Sequence, residues 1–179
     1  MFGDIRGWSL GISGLGFLGI GVGIFIMISL EPLVRRMINS HSPDPRTGKP
    51  PPEAMMSIVT ISAILIPIGE LWFAWTCSPK SIHWIVPILG SSLFGAGNTG
   101  VFIYSSNYLA GSYDKYAASA LAANAVIRSV LGGVMPIAGK AMYASLGPNW
   151  AGTLLGLLEA VSLYISFLQM IIRNVRLTD

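Results

Sequence analysis

The sequence predicts an all-α membrane protein with five transmembrane helices. Three observations carry that prediction. Of 179 residues, 53% are hydrophobic and only 11% charged, where soluble domains carry roughly 25% charged residues. The mean hydropathy is +0.64. Five stretches also supply the ~20 mainly apolar residues that a helix needs to cross a bilayer.

Composition excludes several function classes. The net charge is +3 and the pI near 9.2, but the basic residues form no dense stripe, so nucleic acid is not an expected partner. One cysteine, Cys77, rules out an internal disulfide framework. With only His41 and His83 beside it, no metal site and no cofactor are expected. The start, "MFGDIRGWSLG", does not read as a secretory signal. Asp4 comes early, and the apolar run that follows is too long and lacks a small-residue cleavage site.

The spans run, in order, over about Trp8–Leu30, Ala54–Cys77, Ile82–Leu109, Tyr116–Tyr143 and Trp150–Ile172. Pro67, Pro87 and Pro136 lie inside them. Membrane helices tolerate such residues because neighbouring helices satisfy the freed backbone groups. Residues 31–53, "EPLVRRMINSHSPDPRTGKPPPE", form one long polar loop, and the other connections are short. Lys and Arg favour the cytoplasmic side. With the N-terminus outside, Arg35, Arg36, Arg46, Lys49, Lys115, Arg173 and Arg176 fall inside, against Arg6, Lys80 and Lys140 outside. The expected topology is therefore N-out and C-in, with loop 31–53 cytoplasmic. Trp8, Trp72, Trp75, Trp84 and Trp150 then gather at the outer ends, and Tyr104, Tyr108, Tyr113 and Tyr116 at inner ends. Such amphipathic rings prefer the headgroup level.

"GISGLGFLGIGVG" contains a formal G-x-G-x-x-G at Gly14, Gly16 and Gly19. It lies inside a span with no βαβ unit, so it is not a dinucleotide site. Gly19 and Gly23 read instead as a small-residue packing face, as do Ala118 and Ala122. Ser91, Gly95, Asn98, Phe102 and Ser105 share one face of the third span. Ala120, Asn124, Arg128 and Gly132 share one face of the fourth. Lipid would penalise either stripe, so both should face other helices or a water-filled cavity. Hydrogen bonding between helices and a transport path explain them equally well.

Arg128 sits mid-span, where insertion costs roughly 2.5–3.5 kcal/mol. The acids available are Glu70, near the outer end of the second span, and Glu159, midway along the fifth. By depth Glu159 is the better partner for Arg128. The pair would be a structural ion pair, a gate or a proton-linked couple.

Several phrases carry a family resemblance: "GWSLGISGLGFLGIGVG", "PPEA", "IPIGELWFAWT", "IHWIVPILGSSLFGAGNTGVFIYSSNYLAGSY", "YAASALAANAVIRSVLGG" and "GPNWAGTLLGLLE". From about Gly7 to Glu159 the chain resembles the second half of fungal major facilitator superfamily transporters. The nearest branch is the drug:proton antiporters, which includes polyamine and multidrug exporters. The resemblance implies that residues 1–179 form one truncated transporter domain. The five spans would be helices eight to twelve, a partial C-terminal six-helix half of that fold. It further implies alternating access, with protons entering as a small organic substrate leaves across the plasma membrane. Arg128 matches an arginine of the family's eleventh helix, and Asn98, Tyr104 and Asn107 fall in its tenth-helix phrase. With Asn124, Glu159 and Glu70 they are the candidates for a transport path or gate.

The sequence departs from the family at Met55, where arginine is usual, at Glu70, where an apolar residue is usual, and at Lys140, where proline is usual. The tail after Glu159 leaves the family's Pro-rich ending. These departures point to a shortened gene copy or an incomplete gene reading, with Met1 an internal methionine. The expected partners are then small-molecule substrate and protons, the lipid bilayer, and either the missing N-terminal half, a second copy or a full-length transporter. The alternative reading is a truncated, non-transporting membrane protein that associates with full-length transporters and modulates them. Enzyme function is not expected: there is no H-E-x-x-H, no paired carboxylates at catalytic spacing and no Ser/His pair within one span.

Overall fold

The computed structural model describes residues 14–40, 52–77 and 82–178, and every regular element among them is helical. A 3₁₀ turn, Gly14–Phe17, leads into α1, Leu18–Ser29. It is followed by α2, Glu31–Asn39, then α3, Pro52–Cys77, and α4, Ile85–Tyr113. A 3₁₀ turn at Asp114–Tyr116 opens α5, Ala117–Thr178. The N-terminal part of the first expected span, with Trp8 and Arg6, lies outside the described residues, as do His41, Arg46, Lys49 and Lys80.

Two boundaries differ from expectation, each for a local reason. The polar loop expected over 31–53 begins with a helix. Pro32 occupies the first turn, where its missing N–H is no loss. The Arg35 Nε donates to Glu31 Oε1 at 2.7 Å, one helical turn away. Ile38 is buried and Val34 half-buried, while Arg35 and Arg36 point outward. So α2 is amphipathic, and it leaves α1 at a bend of 42°. Its apolar side packs on the bundle through Ile38 and Val34, and its charges face away.

The second difference is at the turn between the fourth and fifth expected spans. There is no loop there. α5 runs through it and breaks at one residue, Gly147, with φ 75° and ψ 167°. That left-handed value is open to glycine at little cost, and Pro148 then starts the next segment. α5 is thus two arms, each longer than the ~20 residues of a span.

α4 is the central element. It runs parallel to α1, with Gly19 against Ile88 and Ser91, Gly23 against Ser92 and Ala96, and Met27 against Gly100. It runs antiparallel to α3, with Gly69 against Gly90 and Phe94, and Ser62 against Gly97 and Gly100. Backbones touch at these points. A β-carbon on Gly69 would lie 2.5 Å from the Phe94 nitrogen, and one on Gly97 would lie 2.7 Å from the Ser62 carbonyl oxygen. Lipid is as apolar as leucine, so helices in a membrane are held by such close packing rather than by hydrophobic expulsion.

The second arm of α5 packs antiparallel on α3, with Gly152 against Ala74 and Gly156 against Leu71. Trp75 Nε1 donates to Thr153 Oγ1 at 3.1 Å, and Trp75 meets the Trp150 ring edge-on at 6.3 Å. The first arm is different. From Val126 to Ala138 its residues are exposed, and Gly132 and Gly133 have open space around them. Ala118 and Ala122, expected at a packing face, are exposed as well.

Close approach predicts a contrast between two glycines of equal helix propensity. Gly69→Val should lower stability by about 1–3 kcal/mol, the range for overpacking. Gly133→Val should be near neutral. Thermal unfolding of the detergent-solubilised chain measures both, and an equal response would remove backbone contact as the explanation.

Candidate functional site

The hydroxyls of the α4 stripe do not bridge helices. Ser91 Oγ donates to the Ile88 carbonyl at 2.8 Å, and Ser105 Oγ approaches the Phe102 carbonyl at 3.5 Å, both within their own helix. Ser and Thr in helices commonly satisfy themselves this way. Ser91 and Gly95 are buried against α1. Asn98, Phe102 and Ser105 turn instead towards α5, where the structure has two openings.

The first opening is a cavity of about 440 Å³ between α3, α4 and both arms of α5. Its walls are mostly apolar: Val59, Ala63 and Ile66 from α3, Phe94 and Val101 from α4, Met135 from the first arm, and Leu155 and Leu158 from the second. Thr60, Asn98, Ser162 and Glu159 are its polar members. Glu159 Oε2 is fully shielded and has no hydrogen-bond partner. The second opening is a shallower groove between the C-terminal end of α4 and the first arm. Ser105, Tyr113, Tyr116, Ser119 and Asn124 line it.

Arg128 lies a turn beyond that groove. Its guanidinium carbon sits 4.3 Å above the centre of the Phe102 ring. The ion pair expected between Arg128 and Glu159 is not formed. Equal depth fixes only height in the membrane. Around the bundle, Arg128 on the first arm faces α4, while Glu159 on the second opens into the cavity beside α3. A cation on an aromatic face is worth about 0.5–2 kcal/mol. That falls short of the roughly 2.5–3.5 kcal/mol for a mid-span arginine in lipid. Arg128 is also exposed. Its face therefore needs water or another protein surface.

The remaining candidates separate. Tyr104, 3% exposed, lies in an apolar cluster with Met27, Ile38 and Ile58. It neighbours Glu31 and Arg35 electrostatically, so it anchors α2 and lines neither opening. Asn107 is exposed and lines neither opening. Glu70 is half-buried at the α3–α5 contact, its Oε1 beside Gly152, and it is an electrostatic neighbour of Glu159 and Tyr143. Gly19 and Gly23 are buried on α4. Sequence reasoning missed the part of Phe102 as the seat of Arg128. Its place on the polar stripe was the available signal. Among the described residues, no three His, Cys, Asp or Glu side chains converge as a metal site.

Fold and composition together define a multi-pass, all-helical membrane protein. Its most informative relatives are named transporters and pumps rather than enzymes. The chain is 43% identical over 163 residues to the MFS-type efflux pump MFS2 of Trichophyton rubrum, covering 91% of this chain and 27% of that protein. It is 44% identical to efflux pump atB of Aspergillus terreus, over 88% of this chain and 34% of that protein. It is 40% identical to the major facilitator superfamily multidrug transporter mdrA of Aspergillus fumigatus, over 94% of this chain and 27% of that protein. The chain thus spans about a quarter to a third of the length of the curated relatives it matches. No family model matches it, and neither does any solved structure.

The unpartnered Oε2 of Glu159 gives a test of the site geometry. Replacing Glu159 by Met should raise stability by about 1 kcal/mol, because a buried acceptor without a donor carries a desolvation cost of about 1–3 kcal/mol. A buried ion pair behaves oppositely, and losing one partner costs about 3–5 kcal/mol. A fall of that size in the melting curve of Glu159→Met would restore the pairing with Arg128.

Proposed function

We propose that this chain is part of a major facilitator superfamily transporter that exports small organic molecules, of the drug or polyamine kind, in exchange for protons. The observation that carries the reading is the 36–44% identity, over most of the chain, to fungal proteins named efflux pumps and MFS-type transporters. The geometry agrees with it. Arg128 and Asn124 sit along a face open to water or a partner, and Asn98 and Glu159 line the opening between α3, α4 and α5. An ionisable group within a span that faces an opening is by default a functional-site hypothesis.

In this reading the transport path passes along the first arm of α5, between this bundle and a second transmembrane unit. Secondary transporters place their substrate sites at such an interface between repeats. The partner unit is the N-terminal half of a longer protein or a separate full-length transporter. The membrane is the plasma membrane, with α2 and the 41–51 segment on the cytoplasmic side.

Two measurements test this. The native Cys77 is buried, so it gives little background to a cysteine reporter. In cells, Ser40→Cys should react with a membrane-impermeant maleimide only after permeabilisation. Labelling of intact cells would invert the topology. Deleting the gene in its host should raise accumulation of a fluorescent efflux probe such as rhodamine 6G at least twofold. Unchanged accumulation, together with co-purification of a full-length transporter, would favour the modulating, non-transporting alternative.

A further inference from the structure

α2 has more apolar surface than the bundle uses. Val34 and Ile38 take one edge of its apolar arc to the cluster with Tyr104. The other edge stays outside: Leu30, at the junction with α1, is 42% exposed, and Leu33 and Met37 are each 55% exposed. This edge continues a row that begins on α1. Val22, Ile26, Leu30, Leu33 and Met37 follow one another at helical spacings of four, four, three and four, and all five are exposed. The row crosses the bend as a single ridge. On α1 the surroundings of the ridge are apolar all round, because Leu18–Ile28 holds only apolar side chains and glycine. Beyond Leu30 the apolar surface narrows to one arc, as in a helix that passes from hydrocarbon into the interface. Charge sits on both flanks of that arc. Arg35 is on the flank beside Ile38, where Glu31 pairs with it. Arg36 is on the flank beside Leu33, is exposed, and pairs with no acid among the described residues.

We propose that α2 is a lipid-binding element: Leu33 and Met37 enter the headgroup–acyl boundary of the leaflet in which α1 ends, and Arg36 holds the headgroup of an anionic phospholipid there. The occupant follows from continuity. A ridge that meets lipid along α1 meets the same lipid where it passes onto α2. The bend of 42° makes α2 leave the span obliquely, so Leu33 lies deeper than Met37. The unpaired cation stands beside the apolar edge, where headgroup phosphates lie. This inference goes beyond the transport reading and takes from it only the orientation. Anionic lipids are concentrated in the cytoplasmic leaflet, which is the side proposed above for α2. It holds equally for a chain that transports nothing.

The experiment places an environment-sensitive NBD label on the full chain through Leu33→Cys, Asn39→Cys or Phe25→Cys, all at exposed positions where the fold is least disturbed. The buried Cys77 adds little background. Each labelled chain is reconstituted in phosphatidylcholine vesicles containing a nitroxide lipid. The nitroxide is carried near the headgroup, on phosphatidylcholine or on phosphatidylserine at equal mole fraction. The Leu33 label should emit to the blue of the Asn39 label and be quenched at least twice as strongly. Phosphatidylserine should quench it at least twofold more than phosphatidylcholine does. Arg36→Gln should make the two lipids equal. The Phe25 label, quenched by a nitroxide deep in the acyl chains, reports that α1 has inserted. Its failure to quench would remove the span on which the proposal stands. Equal quenching at Leu33 and Asn39 would put α2 off the membrane and overturn the proposal. A Leu33 label that is blue-shifted but unquenched would overturn it in favour of a protein surface, such as a second copy of the chain. Equal quenching by the two lipids, or a preference for phosphatidylserine that survives in Arg36→Gln, would overturn the headgroup assignment. These readouts need no transport, so unchanged efflux on gene deletion would sink the export reading alone.

Discussion

The bundle depends on how closely α4 approaches two helices at once. In water, burial of apolar surface would hold α1 and α3 to it. In a bilayer that force is absent between helices, and contact must come from packing itself. The glycines supply it on two sides of α4. Gly19 and Gly23 let α1 rest on the Ser91–Ala96 stretch, while Gly69 and Gly97 bring α3 to backbone contact on another side. Everything else is hung from this three-helix slab. α2 is fixed by Tyr104 of α4 through the cluster of Met27, Ile38 and Ile58. The second arm of α5 is fixed to α3 by Gly152, Gly156 and the Trp75–Thr153 bond.

The slab also explains where the polar residues go. Two sides of α4 are taken by close backbone contact, and hydroxyls there turn back on their own helix. The third side, towards α5, has no glycine contact, and larger groups stand there instead. Asn98 and Phe102 are on that side, and the cavity and the groove open beside them. Packing and function are divided around one helix. The tight sides hold the fold together, and the loose side holds the chemistry.

The helices themselves were legible in the sequence because apolar length is a local property. So was the unusual nature of Arg128 and Glu159, since a charge inside an apolar run stands out without any structure. Their separation was not legible. Matching residues by depth constrains one coordinate, and the angular position of a helix in a bundle depends on contacts that sequence spacing does not encode. The small-residue pattern shows the same limit. Gly19-x-x-x-Gly23 finds a partner on α4, while Ala118-x-x-x-Ala122 has the same spacing and stays exposed. The pattern permits close packing without selecting a partner. α2 was hidden for another reason. Its charges and proline give residues 31–39 the composition of a loop, although Glu31 and Arg35 stand one helical turn apart and pair there.

The break at Gly147 has a consequence for phase. Because one residue turns the chain, the second arm has no slack in which to absorb a change of length. Each residue of a helix advances the next side chain by 100° and 1.5 Å. Adding one residue before Leu155 would therefore swing Glu159 about a quarter-turn away from the cavity, or else pull Gly152 and Gly156 out of their seats on α3. The two arms are geared together, and the aim of the carboxylate is set by a count of residues as much as by any contact it makes.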